Sequence, residues 1–190
     1  MNDKLSTINH LNISLSAKKI IFEKNYTLKK YFFLLLLVAF SKTITAQSDT
    51  SLIYLRFPIV PSFKLINIAD SSYFTKDNLK KKKSTVIIIF SPTCENCVEE
   101  TKELKQKIGL FKKAQIVMVS PLDFSYLRTF YNDNNIAQYP AITMGRDPGY
   151  FLGTFYKVRS LPSIFVYNKK GNLVKSFIGS TPVEEIAAAL

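Results

Sequence analysis

The sequence predicts an α/β domain in which a mixed β-sheet is covered by helices on both faces. Two apolar runs, at residues 84–90 (STVIIIF) and 115–121 (QIVMVSP), have the continuous hydrophobicity of strands that are buried on both sides. An amphipathic segment lies between these runs, and a strand–turn–strand pattern with a closing helix begins near residue 162. Alternating strands and helices that end in a hairpin and a helix are typical of a three-layer α/β sandwich.

The segment before the first apolar run is expected to be extended. Pro58 and Pro61 place it at a sheet edge or a bend, and residues 63–68 and 72–75 are expected to pair as a hairpin. After Cys94 a helix is predicted, because apolar side chains recur at steps of four and three residues. This apolar stripe consists of Cys97, Thr101, Leu104, Ile108 and Phe111.

The middle of the domain continues the alternation of strand and helix. A helix is predicted within residues 122–135, where an Asn/Asp cluster ends it and Asp123 serves as its N-cap. A short strand is predicted at 141–145, followed by a loop and a short helix within 147–158.

A hairpin and a helix close the domain. Residues 162–179 have two apolar stretches separated by the turn residues 168–171 (NKKG), which is typical of a β-hairpin. The last ten residues (TPVEEIAAAL) predict a helix with Thr181 as its cap and Pro182 in the first position.

The first 46 residues are not expected to belong to this fold. Lys29 and Lys30 precede an apolar run of ten residues, and the small residue Ala46 follows, which is the pattern of a secretory signal peptide. Ten residues span about 15 Å as a helix, too little for a bilayer core, so cleavage after Ala46 is favoured over anchoring. We expect a disordered or mis-started extension at 1–28, a signal peptide at 29–46 and the folded domain at 47–190.

Cys94 and Cys97 are the only cysteines of the chain, and they stand where a predicted buried strand meets a predicted helix. The N-terminus of a helix stabilises the thiolate of a cysteine in its first turn. The thiolate is the form that attacks a disulfide, and a second cysteine one turn later can close the ring and release a bound partner. The spacing therefore allows a two-step exchange, with Cys94 as nucleophile and Cys97 as resolving thiol.

Residues 86–97 (VIIIFSPTCENC) resemble the strand–Phe-x-x-x-Cys-x-x-Cys layout of the thioredoxin superfamily. Residues 157–174 (KVRSLPSIFVYNKKGNLV) resemble the stretch in which this family places a cis-proline that faces the cysteines. Residues 59–68 (IVPSFKLINI) are similar to the opening of the extracytoplasmic branch related to the TlpA and ResA thiol-disulfide oxidoreductases. The resemblance spans roughly residues 55–190 and implies a thioredoxin-like fold with thiol-disulfide exchange on protein substrates.

The resemblance also implies a substrate-binding wall at Leu161 and the cis-proline Pro162, with Thr93 beside the nucleophile. Thr93 departs from the family, which often has Trp at this position, and Ile88 stands where thioredoxins carry a buried acid that moves protons. Glu95 places a negative charge near the thiolate and opposes its formation. These departures favour a reductant or a moderate-potential exchanger over a strong oxidant.

Four other interpretations of the cysteine pair stay open. A structural disulfide suits an exported protein, although so small a ring stabilises little, and a non-catalytic binding module would also retain it. A metal site is disfavoured, because removal of the signal takes His10, the only histidine, and leaves two cysteines as ligands. Thiol peroxidase activity is known in related folds, but Pro92 and Thr93 stand too close to Cys94 for the peroxiredoxin pattern.

Some neighbouring residues have ordinary structural explanations. Glu99 and Glu100 are expected to be solvated acids of the helix's first turn and not proton shuttles. Tyr150, Phe151 and Phe155 either cover the core near the cysteines or form an apolar rim that accepts a partner peptide.

The formal net charge of +12 includes one dense basic run at residues 80–83, which is read as a solvated loop, and nucleic acid is not an expected partner. The expected partners are protein thiols and disulfides, together with an upstream dithiol that donates electrons. No dissociable cofactor is implied. The protein is expected in the periplasm or otherwise exported, in contact with the membrane only through an uncleaved signal segment.

Overall fold

The computed structural model describes residues 52–190. The predicted extension and signal peptide lie outside these residues, as do the first residues of the predicted domain. Among residues 52–190, no helix is both long and apolar enough to cross a membrane.

The described part of the chain contains one mixed sheet of seven strands in the order β2-β1-β5-β4-β3-β6-β7. The central strands β3, β4 and β5 run parallel to one another, and every other neighbouring pair is antiparallel. The strands are β1 (Lys64–Asn67), β2 (Tyr73–Thr75), β3 (Ser84–Ile89), β4 (Ala114–Ser120), β5 (Ile142–Arg146), β6 (Ser163–Tyr167) and β7 (Leu173–Ile178). The predicted mixed α/β architecture and both predicted hairpins are thus confirmed.

Helices cover both faces of the sheet, as the buried strands predicted. All residues of β3 and β4 are buried, and successive side chains alternate between two apolar clusters. The helices are α1 (Ile53–Arg56), α2 (Glu95–Gln106), α3 (Phe124–Asp133), α4 (Phe151–Phe155) and α5 (Val183–Ala188). Helices α2, α3 and α5 pack on one face, and α1 and α4 pack on the other.

The expectation of an extended first segment is wrong for α1. Tyr54 in this helix is buried, and its ring lies 5.7 Å from that of Tyr156 and 5.3 Å from that of Phe165. These edge-on aromatic contacts outweigh the weak helix preference of so short a segment. The chain becomes extended only later, where Ile59 pairs with Asn172.

The two predicted helix caps have different outcomes. Asp123 is the N-cap residue of α3, as predicted, but its carboxylate accepts no hydrogen bond from the helix and pairs with Arg146 at 2.9 Å instead. The cap residue of α5 is Pro182, and the Thr181 hydroxyl donates to the carbonyl of Gly179. The predicted Thr181 cap is therefore wrong by one residue, because the Thr181 hydroxyl bonds within the turn that precedes the helix.

Candidate redox site

The cysteines lie at the end of the sheet toward which β3 runs. The turn after β3 is held by the amide of Cys94, which donates to the Ser91 carbonyl at 3.1 Å. The hydroxyls of Ser91 and Thr93 lie 2.8 Å apart and share a hydrogen bond. Cys94 is the N-cap residue of α2, and its Sγ accepts a hydrogen bond of 3.3 Å from the amide of Cys97. The helix N-terminus therefore points at the sulfur of Cys94, as the sequence predicted.

The two cysteines form a disulfide, and their Cα atoms are 5.2 Å apart. Their exposure differs: Cys97 is 1% exposed and belongs to the apolar cluster beneath α2, whereas Cys94 is half-buried at the surface. Glu95 and Asn96, which separate them, are exposed. One sulfur is thus accessible to a partner and the other is enclosed by protein.

The segment before β6 faces the cysteines. Because β6 is antiparallel to β3, with Ser163 opposite Ile89, the preceding residues arrive at the cysteine end of the sheet. The Leu161–Pro162 peptide bond is cis. The carbonyl oxygen of Leu161 lies 3.8 Å from Sγ of Cys94. Four of the five residues singled out from the sequence therefore meet here: Cys94, Cys97, Leu161 and Pro162.

The fifth residue, Thr93, is exposed beside the cysteines and lines an open cavity of about 410 Å³. The opposite wall of this cavity belongs to α3, including Tyr126 and Phe130. Phe130 is a core residue, whereas Tyr126 is 60% exposed. Thr93 thus stands between the redox pair and this second surface.

A second cavity of about 320 Å³ opens on the other side of Leu161. Its walls are mostly apolar and include Phe90, Leu122 and Tyr150. Tyr150 has a left-handed backbone (φ 50°), and its ring covers Gly153 so closely that any side chain there would overlap it. Tyr150 is 40% exposed and Phe151 is 44% exposed, so both rings lie at the surface and do not belong to the buried core.

The expectation that Glu100 is solvated is wrong. Glu100 is 5% exposed, and its Oε2 accepts a hydrogen bond of 3.2 Å from the amide of Thr181. Burial raises the pKa of this carboxyl to about 7, and the nearby charge of Glu103 adds to the rise. Ile88, at the position of the acid that thioredoxins carry, is an apolar core residue. A buried acid thus lies on α2, one turn after Cys97.

A signal for Glu100 was present in the sequence. It lies three residues after Cys97 and directly before Thr101, so it borders the apolar stripe of α2. Glu99, in contrast, is exposed and pairs loosely with Lys102 at 3.8 Å, as expected for a first-turn acid. Among residues 52–190, no group of three or more His, Cys, Asp or Glu side chains is placed to hold a metal ion.

A cysteine pair carried from a central strand into a helix N-terminus on a mixed sheet is the arrangement of thioredoxin-like proteins. Residues 75–190 match the profile of the thioredoxin-like domain family, and the chain belongs to this family. The predicted membership of the thioredoxin superfamily is thereby confirmed. No curated protein matches the chain significantly.

Solved structures with the same fold include proteins of several activities. StoA from Bacillus subtilis has 17% identity and a TM-score of 0.55, and the match covers 70% of this chain and 98% of StoA. A secreted Mycobacterium tuberculosis disulfide oxidoreductase homologous to DsbE of E. coli has 18% identity and a TM-score of 0.57, over 67% and 92% of the two chains.

The peroxidoxin BcpB from Mycobacterium tuberculosis has 13% identity and a TM-score of 0.59, over 69% and 92% of the two chains. At these identities the similarity concerns the fold.

Proposed function

We propose that this chain is an exported thiol-disulfide oxidoreductase that exchanges disulfides with protein substrates, on the reducing side. The observation that carries the proposal is the unequal placement of the two sulfurs: Cys94 is accessible at a helix N-terminus, and Cys97 is buried behind it. The fold similarity to StoA and to a secreted disulfide oxidoreductase supports it.

In the proposed reaction, the reduced protein acts in two steps. The Cys94 thiolate attacks one sulfur of a substrate disulfide, which forms a mixed disulfide and releases the other substrate sulfur as a thiolate. The Cys97 thiolate then attacks Cys94, which restores the Cys94–Cys97 disulfide and releases the second substrate thiol. The substrate gains two electrons, and an upstream dithiol returns two electrons to the protein.

Four residues assist these steps in the proposal. Leu161 and Pro162 form the wall along which an extended substrate lies, with Thr93 at its margin, and Glu100 accepts the proton that the Cys97 thiol must lose. A carboxyl with a pKa of about 7 has the right protonation balance near neutral pH for that transfer. Glu95 is exposed, so water screens its charge from Cys94.

The test is the redox behaviour of the pair. We expect a reduction potential within roughly −270 to −180 mV, the range of exchange proteins. We also expect Cys94→Ser to abolish reduction of a protein disulfide, and Cys97→Ser to accumulate a mixed disulfide through Cys94. A potential below about −300 mV with an inactive wild type would favour a structural disulfide in a binding module. Peroxide consumption that exceeds disulfide reduction would favour a thiol peroxidase.

The export part of the proposal rests on the sequence. We propose a signal peptide at 29–46 that follows an extension at 1–28 and leaves the domain 47–190 in the periplasm or outside the cell. N-terminal sequencing of the exported protein tests this, and an N-terminus at residue 47 is the expected result.

A further inference from the structure

The end of the sheet opposite the cysteines carries a groove lined by lysines. Since β3 runs from Ser84 toward the cysteines and β6 runs the other way, the loop before β3 and the turn after β6 meet at this end. It lies roughly 20 Å from the cysteines along the strands. The groove has a volume of about 350 Å³. Six lysines line it: Lys76, Lys80, Lys81, Lys83, Lys169 and Lys170.

The positive charge of this basic groove is not balanced by acids. Lys82, Lys112 and Lys113 flank it in the sequence, and the Lys113 carbonyl accepts from the amide at the start of β3. Among residues 52–190, none of these lysines takes part in an ion pair. Asp77 is the one acidic residue within 76–83, 112–115 and 168–171.

Exposed apolar side chains lie in the segment that reaches the basic groove. Ile59, which is 51% exposed, lines the groove, and Phe57, two residues earlier, is 53% exposed with the Arg56 guanidinium 5.5 Å from its ring centroid. Two backbone hydrogen bonds fix this segment beside the β6–β7 turn, from Leu173 to the Pro58 carbonyl and from Val60 to the Gly171 carbonyl. Lysines beside exposed aliphatic and aromatic side chains are the combination that binds the interface of a bilayer.

We propose that this end of the protein, made of the basic groove with Phe57 and Ile59, binds the surface of an anionic phospholipid bilayer. The residues lining this groove include no arginine, whose planar guanidinium would bind one phosphate by two parallel hydrogen bonds. Lysines spread over separate segments instead sum weak attractions to many headgroups. A soluble polyanion would leave Phe57 and Ile59 in water, whereas a bilayer interface accepts them.

Docking in this way would hold the cysteines on the side away from the lipid. The disulfide would face the aqueous space, roughly 20 Å above the headgroups, where soluble partners reach it. The inference does not rest on the redox chemistry, because no residue of the groove belongs to the cysteine site.

The test compares two triple variants of the full chain with the same net charge. K81Q/K169Q/K170Q neutralises the groove, and K64Q/K102Q/K175Q neutralises lysines elsewhere. The readout is the partition coefficient on phosphatidylglycerol vesicles divided by that on phosphatidylcholine vesicles, at low salt. Each lysine near an anionic surface raises the partition coefficient roughly fivefold. The ratio measured for the groove variant should therefore be lower than that of the wild type by on the order of 100-fold. The control should lose much less, and equal losses would overturn the proposal.

If residues 1–46 bind vesicles by themselves, the partition coefficient would not report on the groove. Chemical footprinting of individual lysines still tests the proposal in that case. Lysine acetylation read by mass spectrometry should show Lys81, Lys169 and Lys170 shielded by phosphatidylglycerol vesicles, and Lys102 unshielded. F57S/I59S should weaken this shielding. Shielding by inorganic polyphosphate but not by vesicles would mean that the groove binds a soluble polyanion and that the membrane assignment is wrong.

Discussion

Replacing Glu100 by Gln is expected to stabilise the protein at alkaline pH and to change it little at acid pH. Glu100 is 5% exposed, and burial raises the pKa of its carboxyl from 4.5 to about 7. The Thr181 amide opposes this rise by donating a hydrogen bond to Oε2. Gln keeps an acceptor for that amide and removes the charge, so it isolates the cost of burying a carboxylate.

The sign follows from proton linkage. Between pH 4.5 and about 7, the folded protein keeps a proton on Glu100 that the unfolded chain has released. The free energy of unfolding therefore falls as pH rises through this interval. The pKa difference corresponds to about 3 kcal/mol above pH 7, an upper limit because a buried site relaxes around a charge. The free energy of unfolding of E100Q at pH 8 should thus be about 1–3 kcal/mol higher than that of the wild type.

Urea unfolding of the oxidised protein at pH 4.5 and pH 8 measures this difference. Glu99→Gln is the matched control, because Glu99 is the neighbouring acid, is exposed and forms only a loose surface pair with Lys102. Its effect should stay within about 0.5 kcal/mol at both pH values. If E100Q kept the wild-type dependence of stability on pH, or if E99Q flattened it equally, the reasoning about Glu100 would be refuted.

Two further substitutions test the cavity beside Leu161 and the aromatic core. Gly153→Ala should leave the protein folded, because the Tyr150 ring that its Cβ would displace is 40% exposed and can swing outward. Gly153→Ala should also lower the rate of protein-disulfide reduction severalfold. Gly149→Ala is the control and should leave the rate unchanged, because its added Cβ meets no atom within 4 Å. Equal rates for the two variants would exclude the Tyr150 side of the cavity from substrate binding. Tyr167→Phe should cost about 1–2 kcal/mol in thermal unfolding, because it leaves the buried hydroxyl of Tyr156, 2.7 Å away, without its partner. The double variant Y156F/Y167F should cost less than the sum of the two single variants, and additive losses would contradict the pairing.

The elements that were predictable from the sequence are those fixed by local patterns. Residues 86–90 and 116–119 are uninterrupted apolar runs, which are typical of strands covered on both faces, and β3 and β4 are buried throughout. The stripe that begins at Cys97 has the helical period, and Cys97, Thr101 and Leu104 are buried in α2 as predicted. The last two members lie beyond α2, in a separate 3-10 helix at Ile108–Phe111. The placement of Cys94 at a helix N-terminus was predictable from these two elements, because Cys94 stands in the short connection between the strand and the helix that follows it.

The features that sequence reasoning missed depend on contacts far along the chain. Glu100 is buried because Thr181, 81 residues later, supplies both cover and a hydrogen bond. Asp123 occupies the cap position of α3, but its carboxylate bonds to the charged side chain of Arg146, 23 residues later in the sequence, and not to the helix. Tyr54 lies in a helix whose position is fixed by contacts of its ring with aromatic residues more than 100 positions later in the sequence. No local window contains any of these partners.

The unequal exposure of the two sulfurs also determines how the site withstands oxidants. A peroxide meets Cys94 first, since Cys97 is only 1% exposed. The resulting sulfenic acid lies within one helical turn of a thiol that can condense with it to a disulfide, with loss of water. That capture precedes a second oxidation, so the centre is kept from the sulfinic and sulfonic acids, which no dithiol reverses. The buried cysteine thus makes the disulfide the end point of oxidation at Cys94, and in the proposed function the upstream dithiol would also repair the oxidised centre.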